Sequence, residues 1–185
     1  MSTVRAFLAI DLDDDLKPKI NKIIKEFKGI DANIKYVDLT NLHLTLKFFG
    51  DIDTEGIPLL EEKISDVVEN YGPFDIKIKD CGAFPNNNHI KVIWVGIEDD
   101  STIKKLHDDL DQEFKKLGFN LDKKFSSHLT IGRMKSAKGK NQVKSKIESF
   151  EGVEIGSMNV SNIVLKKSTL TPSGPIYEDL IKFDL

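Results

Sequence analysis

His43-Leu44-Thr45-Leu46 returns in the second half of the chain as His128-Leu129-Thr130-Ile131. Side chains alternate between the two faces of a β-strand, so each copy sets a histidine and a threonine on one face and two aliphatic residues on the other. Apolar residues fill nearly half of an average chain, so a given histidine is followed by apolar-Thr-apolar about once in a hundred, and two of four matching by accident is on the order of one in a thousand. One His-x-Thr-x alone reads as an ordinary strand. Two copies read as one small device built twice.

Outward from the first copy, Gly50 is placed to end a strand over 42–49. Upstream, residues 4–12 form a mostly apolar strand. Leu16, Ile20, Ile23, Ile24 and Phe27 then recur at helical spacing, with Pro18 tolerable in a first turn and Gly29 as the stop. Downstream, Leu60, Ile64, Val67, Val68 and Tyr71 trace a second helix ending at Gly72-Pro73. Phe74, Ile76 and Ile78 alternate in a half-buried strand, and the turn Pro85-Asn86-Asn87-Asn88 joins it to a strand over 89–97. Ile103, Leu106, Leu110, Phe114 and Leu117 form a third helical stripe closed by Gly118, followed by the second motif strand over 125–132. A weaker helix holds Val143, Ile147 and Phe150. Strands over 153–168 and 176–184, linked by Pro172-Ser173-Gly174-Pro175, complete the pattern.

The motif histidines lie just under half the chain apart, and no Gly- or Ser-rich linker separates the halves. Two similar α+β lobes packed as one body with a groove between them are expected. With 185 residues, 39% hydrophobic and 31% charged, the chain can bury a core unaided. A single cysteine, Cys81, excludes an internal disulfide framework and is read as a small buried hydrophobe. No signal-peptide pattern and no long apolar run occur, so a cytoplasmic protein without membrane association is expected, with a monomer as the default.

Net charge is −3, yet Arg133, Lys135, Lys138, Lys140, Lys144 and Lys146 follow the second motif with no acid among residues 133–147. This run is either a solvated loop or a surface for phosphate backbones. Asp13-Asp14-Asp15 and Asp108-Asp109-Asp111 lack calcium-loop spacing and read as helix first turns or solvated faces. His89 and His107 stand outside the repeat and read as surface residues.

Two histidines facing across a groove supply a general acid and a general base near neutral pH, since imidazole titrates close to pH 6.5. One activates water and the other protonates a departing alkoxide, while threonine hydroxyls donate to the nonbridging oxygens of a phosphate. Neither a metal nor another cofactor is needed. The chain has no His-Glu-x-x-His, no paired cysteines and no Gly-x-Ser-x-Gly, so metallohydrolase and serine-hydrolase chemistry are disfavoured.

Beyond the repeat, the sequence carries Arg5-Ala6-Phe7-Leu8-Ala9-Ile10, Asn41-Leu42 and Lys47-Phe48-Phe49-Gly50. It also carries Phe84-Pro85-Asn86, Trp94-Val95-Gly96, Gly132-Arg133 and the stretch Ser168 to Tyr177. With these, nearly the whole chain resembles the two-histidine phosphoesterases, and among them the RNA 2',3'-cyclic phosphodiesterases also called 2'-5' RNA ligases. The resemblance implies two pseudo-symmetric α+β lobes, each an antiparallel sheet with helices, around a cleft. The whole of residues 1–185 would be one bilobal domain, with one motif per lobe at 43–46 and 128–131. It implies hydrolysis of a terminal cyclic phosphate to a 2'-phosphomonoester, with His43 as proton donor and His128 as proton acceptor. Thr45 and Thr130 would hold phosphate oxygens and Arg133 would add positive charge. Strict alternation from His128, however, turns Arg133 to the opposite face unless Gly132 ends or bulges the strand. Relatives commonly carry Pro before the second motif histidine, where this chain has Ser127. The family's ligase name would imply a reversible 2'-5' transesterification, with a 5'-hydroxyl replacing water. Two other readings share the cleft: a non-catalytic RNA-end or nucleotide-binding protein, and a phosphodiesterase of small cyclic or 2'-5' linked nucleotides.

Overall fold

The computed structural model describes residues 2–98 and 100–185; Met1 and Asp99, inside the expected 1–185 unit, lie outside the described residues. The strands β1 (Thr3–Asp11), β2 (Ile34–Tyr36), β3 (His43–Asp53), β4 (Phe74–Asn86), β5 (His89–Glu98), β6 (His128–Met134), β7 (Glu154–Val160), β8 (Asn162–Thr171) and β9 (Gly174–Asp184) form one curled antiparallel sheet. Its order is β7-β4-β5-β6-β3-β1-β8-β9, with β2 added to β6. The motif strands β3 and β6 are neighbours at the middle, joined through Leu44 opposite Leu129. Four strands lie on each side of that seam, so the fold is α+β with two pseudo-symmetric lobes.

Among the described residues, four α-helices cover the outer face: α1 (Lys17–Lys28), α2 (Ile57–Val68), α3 (Ser101–Lys116) and α4 (Lys140–Glu148). Each packs by an apolar stripe read from its sequence, such as Ile20, Ile23, Ile24 and Phe27 on α1. The helices do not stay with the strands that precede them. Helix α1 follows β1 but packs near β7, and α4 packs on β4, whereas α2 and α3 pack together behind β3 and β9. Each lobe therefore draws on both halves of the chain.

The repeat behaves in the sheet as alternation requires. Leu44, Leu46, Leu129 and Ile131 are all at most 2% exposed and point into the core between sheet and helices, which leaves the histidines and threonines on the inner face of the curl. Cys81 is buried, and burial pushes its thiol up to about 12, leaving it protonated at neutral pH.

Several boundaries depart from expectation. Gly50 does not end β3; it sits at positive φ beside a bulge, where Ala6 pairs with Gly50 but Phe7 with Phe48, and the strand runs on to Asp53. The turn expected over 85–88 contracts to Asn87-Asn88, because the Asn86 side chain accepts from the backbone N–H groups of Asn88 and His89, both at 3.0 Å. The strand expected over 153–168 is two strands that break at Ser161 and lie in opposite lobes. His107 is not a surface residue, and Asp111 is not on a solvated face. Both are buried on α3. Among the described residues no helix is long and apolar enough to cross a membrane.

Candidate active site

The curl of the sheet encloses a cleft of about 1200 Å³, and His43, Thr45, His128, Thr130 and Arg133 all line it. Both histidines begin their strands, and each is oriented by the carbonyl two residues earlier. His43 Nδ1 lies 2.7 Å from the Asn41 oxygen, and His128 Nδ1 lies 2.7 Å from the Ser126 oxygen. A carbonyl only accepts, so Nδ1 carries the proton in both rings and Nε2 is the atom presented to a ligand. The copies differ in one respect. His43 Nε2 is 3.0 Å from Thr45 Oγ1, so in the neutral ring the Thr45 hydroxyl donates to it.

Aromatic rings wall both imidazoles. Phe7 (4.9 Å between ring centroids) and Tyr177 (5.3 Å) flank His43, and Phe84 (4.8 Å) meets His128 edge-on. Burial is the largest influence on each histidine and holds both below the ordinary value of 6.5. The hydrogen bonds to Asn41 and Ser126 oppose that shift, while Lys166 and His128 near His43, and Arg133 near His128, reinforce it.

Arg133 reaches the cleft by a bulge. In the β5–β6 ladder Trp94 pairs with Thr130 and Ile93 with Gly132, so Ile131 is an extra residue that resets the alternation. Gly132 is needed where the strand resumes, since a Cβ there would lie 2.9 Å from Ile34 Cγ2. The basic run after Arg133 then divides. Lys135 also lines the cleft, whereas Lys138 pairs with Asp31 at 2.5 Å, Lys146 with Glu26 at 3.0 Å, and Lys144 bonds Asn88 at 2.7 Å.

Behind the cleft lies a buried network that the sequence did not reveal. Lys47, one turn of the pleat beyond the first motif, points into the core. Its ammonium sits 2.5 Å from Asp111 Oδ1, 2.9 Å from Asp122 Oδ1 and 2.8 Å from the Asn120 oxygen. His107 Nε2 is 3.0 Å from Asp122 Oδ2, and its ring stacks on Phe125 at 3.9 Å. His107, Asp111 and Asp122 thus have the spacing of a metal-ligand set, but the Lys47 ammonium already supplies the positive charge between the carboxylates. Ser127 donates its hydroxyl to Asp100 just before α3. Lys47 and α3 together therefore brace the approach to His128 against the strand that carries His43.

Phe7, Tyr177, Lys35 and Lys166 also line the cleft, and sequence reading gave none of them a role. Phe7 and Tyr177 fall within quoted family-like stretches, which is the signal that could have found them.

The model for the 2'-5' RNA ligase superfamily matches residues 13–169. The RNA 2',3'-cyclic phosphodiesterase of Methanothermobacter thermautotrophicus is 43% identical over 182 residues, covering 98% of this chain and 99% of the relative. Its counterpart in Archaeoglobus fulgidus is 38% identical, covering 98% and 100%. Among solved structures, TT0787 of Thermus thermophilus superposes with a TM-score of 0.83 at 25% identity, covering 98% of this chain and 97% of that one. E. coli LigT complexed with 3'-AMP superposes at 0.79 and 22% identity over 100% and 99%, a likeness of fold. By its repeated motif, its sheet and these matches, the chain belongs to the 2'-5' RNA ligase superfamily.

Proposed function

We propose that this chain is an RNA 2',3'-cyclic phosphodiesterase that works in the cytoplasm as a monomer, with residues 1–185 acting as one bilobal unit. The observation that carries the proposal is the pair of imidazoles lining one cleft, each with Nδ1 fixed to a carbonyl, so that Nε2 is the atom left to exchange a proton, with the Thr45 hydroxyl beside it at His43. The relatives' names support the substrate class.

His128 Nε2 takes a proton from water as its oxygen attacks phosphorus, and the P–O3' bond breaks. His43, protonated at Nε2, gives its proton to O3', which leaves the phosphate on O2'. The hydroxyls of Thr45 and Thr130 donate to the nonbridging oxygens, and Arg133 offsets the charge that gathers on them. A 5'-hydroxyl in place of water attacks the same phosphorus, expels O3' in the same way and leaves a 2'-5' linkage. No step requires a metal ion.

In EDTA, a short RNA ending in a 2',3'-cyclic phosphate should be converted to a product carrying only a 2'-phosphate, identified by chromatography against both isomers. A 3'-phosphate, or turnover that needs an added metal, would contradict the proposal. RNA bound without turnover would favour the non-catalytic reading.

The depressed histidines also set a pH order. Turnover needs one imidazole charged and one neutral, so kcat/KM, which reports the free enzyme, should peak on the acid side of 6.5. A bound phosphate anion favours the imidazolium and raises both values, so the kcat profile should peak at higher pH. Profiles of the two parameters check this, and the reverse order would contradict it.

A further inference from the structure

The cleft is charged unevenly. Strand β2 lies on β6 with Lys35 directly opposite Arg133, and both side chains line the cleft. Like charges directly opposite each other in a sheet are destabilising. Lys135 continues the ladder through its N–H to the Asn33 oxygen at 2.8 Å, on the same face as Arg133. Lys28, at the end of α1, adds a fourth cation and lies 5.4 Å from the centre of the Tyr36 ring. Among the described residues, none of these four makes an ion pair, although neighbouring lysines do.

Among the described residues, the acids of the cleft form no ion pair with them. Asp11 and Asp179 are held by Lys166 at 2.9 and 2.5 Å. Asp38 accepts from the Thr40 backbone N–H at 2.9 Å and from its hydroxyl at 2.6 Å. The Lys166 wall therefore holds, among the described residues, no cation without a carboxylate partner, whereas the β2–β6 wall carries a repulsion that an anion would relieve. The cleft's volume of about 1200 Å³ also exceeds the roughly 300–1,000 Å³ of a small-molecule site, leaving room beyond one nucleotide.

We infer that Lys28, Lys35 and Lys135 form a second phosphate site, which takes a backbone phosphodiester upstream of the reacting end and directs the RNA strand out over the β2–β6 wall. The site makes the enzyme prefer an RNA strand to a cyclic mononucleotide. The inference rests on the proposed function and goes beyond it in naming how the substrate class is chosen.

The test compares 2',3'-cyclic AMP, the same compound with a 5'-phosphate, and a short RNA ending in that cyclic nucleotide. It uses wild type, the triple variant Lys28→Ala, Lys35→Ala, Lys135→Ala, and the corresponding triple Arg variant. All three lysines are exposed, so folding is retained. For the RNA, KM should rise roughly tenfold in the Ala variant, and the slope of log KM against log salt should fall by about 0.7 per lysine removed. The Arg variant should restore both, and kcat/KM for 2',3'-cyclic AMP should change by less than about threefold. Equal losses on RNA and mononucleotide, or no loss on RNA, would overturn the second site. An advantage for the 5'-phosphorylated mononucleotide equal to that of RNA would overturn the strand in favour of a small phosphorylated nucleotide. Wild type inactive on all three substrates would overturn the proposed function itself, whereas wild-type turnover without preference for RNA would overturn only this inference.

Discussion

Replacing His43 or His128 by alanine should lower kcat for an RNA 2',3'-cyclic phosphate by roughly 10²- to 10⁴-fold, the usual contribution of a positioned acid or base. Each ring is only partly buried and reaches the rest of the protein through a hydrogen bond to a carbonyl, one more with the Thr45 hydroxyl at His43, and contacts with aromatic rings. Its removal opens no void in the core, so the unfolding midpoint should move little while activity collapses. The double variant should be little worse than either single one, because an acid and a base that act in one step fail as a unit. Steady-state kinetics beside thermal unfolding check this. Full activity in either single variant would remove the two-histidine mechanism.

Lys47→Ala should produce the largest loss of stability of any single substitution at a charged residue. The Lys47 ammonium and the Asp111 carboxylate are each 5% exposed, 2.5 Å apart. Its removal leaves the Asp111 charge buried without its cation, a change that costs about 3–5 kcal/mol. Asp122, at 38% exposure, can turn to water and adds little. At a chain length of 150–250 residues that cost corresponds to a fall in Tm of about 2–4 °C per kcal/mol. Replacing Lys47 by Met and Asp111 by Leu together should recover much of the loss, since two apolar groups of similar shape demand no compensation. Urea unfolding of the single and double variants measures both. A single-variant loss under about 1 kcal/mol would mean that water reaches the pair and screens it.

The sequence made legible what depends on local periodicity. The repeat located the two strands that meet at the seam of the sheet, and alternation separated their core leucines from their cleft residues. The helical stripes located all four helices. What escaped depends on partners far away in the chain. Strand β2 has three residues, too few to show a period, and exists because Ile34, Lys35 and Tyr36 find β6. Nothing local marks Ser161 as the point where the chain leaves β7 for the opposite lobe. Asp111 reads as part of a helix first turn or solvated face and nothing local marks Lys47 as buried, but each is buried because the other supplies its counter-charge. His107 is buried with them, between Asp122 and the ring of Phe125. Arg133 lay on the wrong face by strict alternation, and the extra residue at Ile131, set by pairing with β5, returns it to the cleft.

The most direct test of paired acid–base catalysis replaces the leaving oxygen. In an RNA whose terminal cyclic phosphate carries sulfur at the 3' bridging position, the departing thiolate needs no proton. His43→Ala should then recover to within about tenfold of wild type, while His128→Ala, which still lacks its base, should remain as impaired as on the oxygen substrate. Equal impairment of both variants on the sulfur substrate, or recovery of His128→Ala instead, would contradict the assignment of His43 as acid and His128 as base.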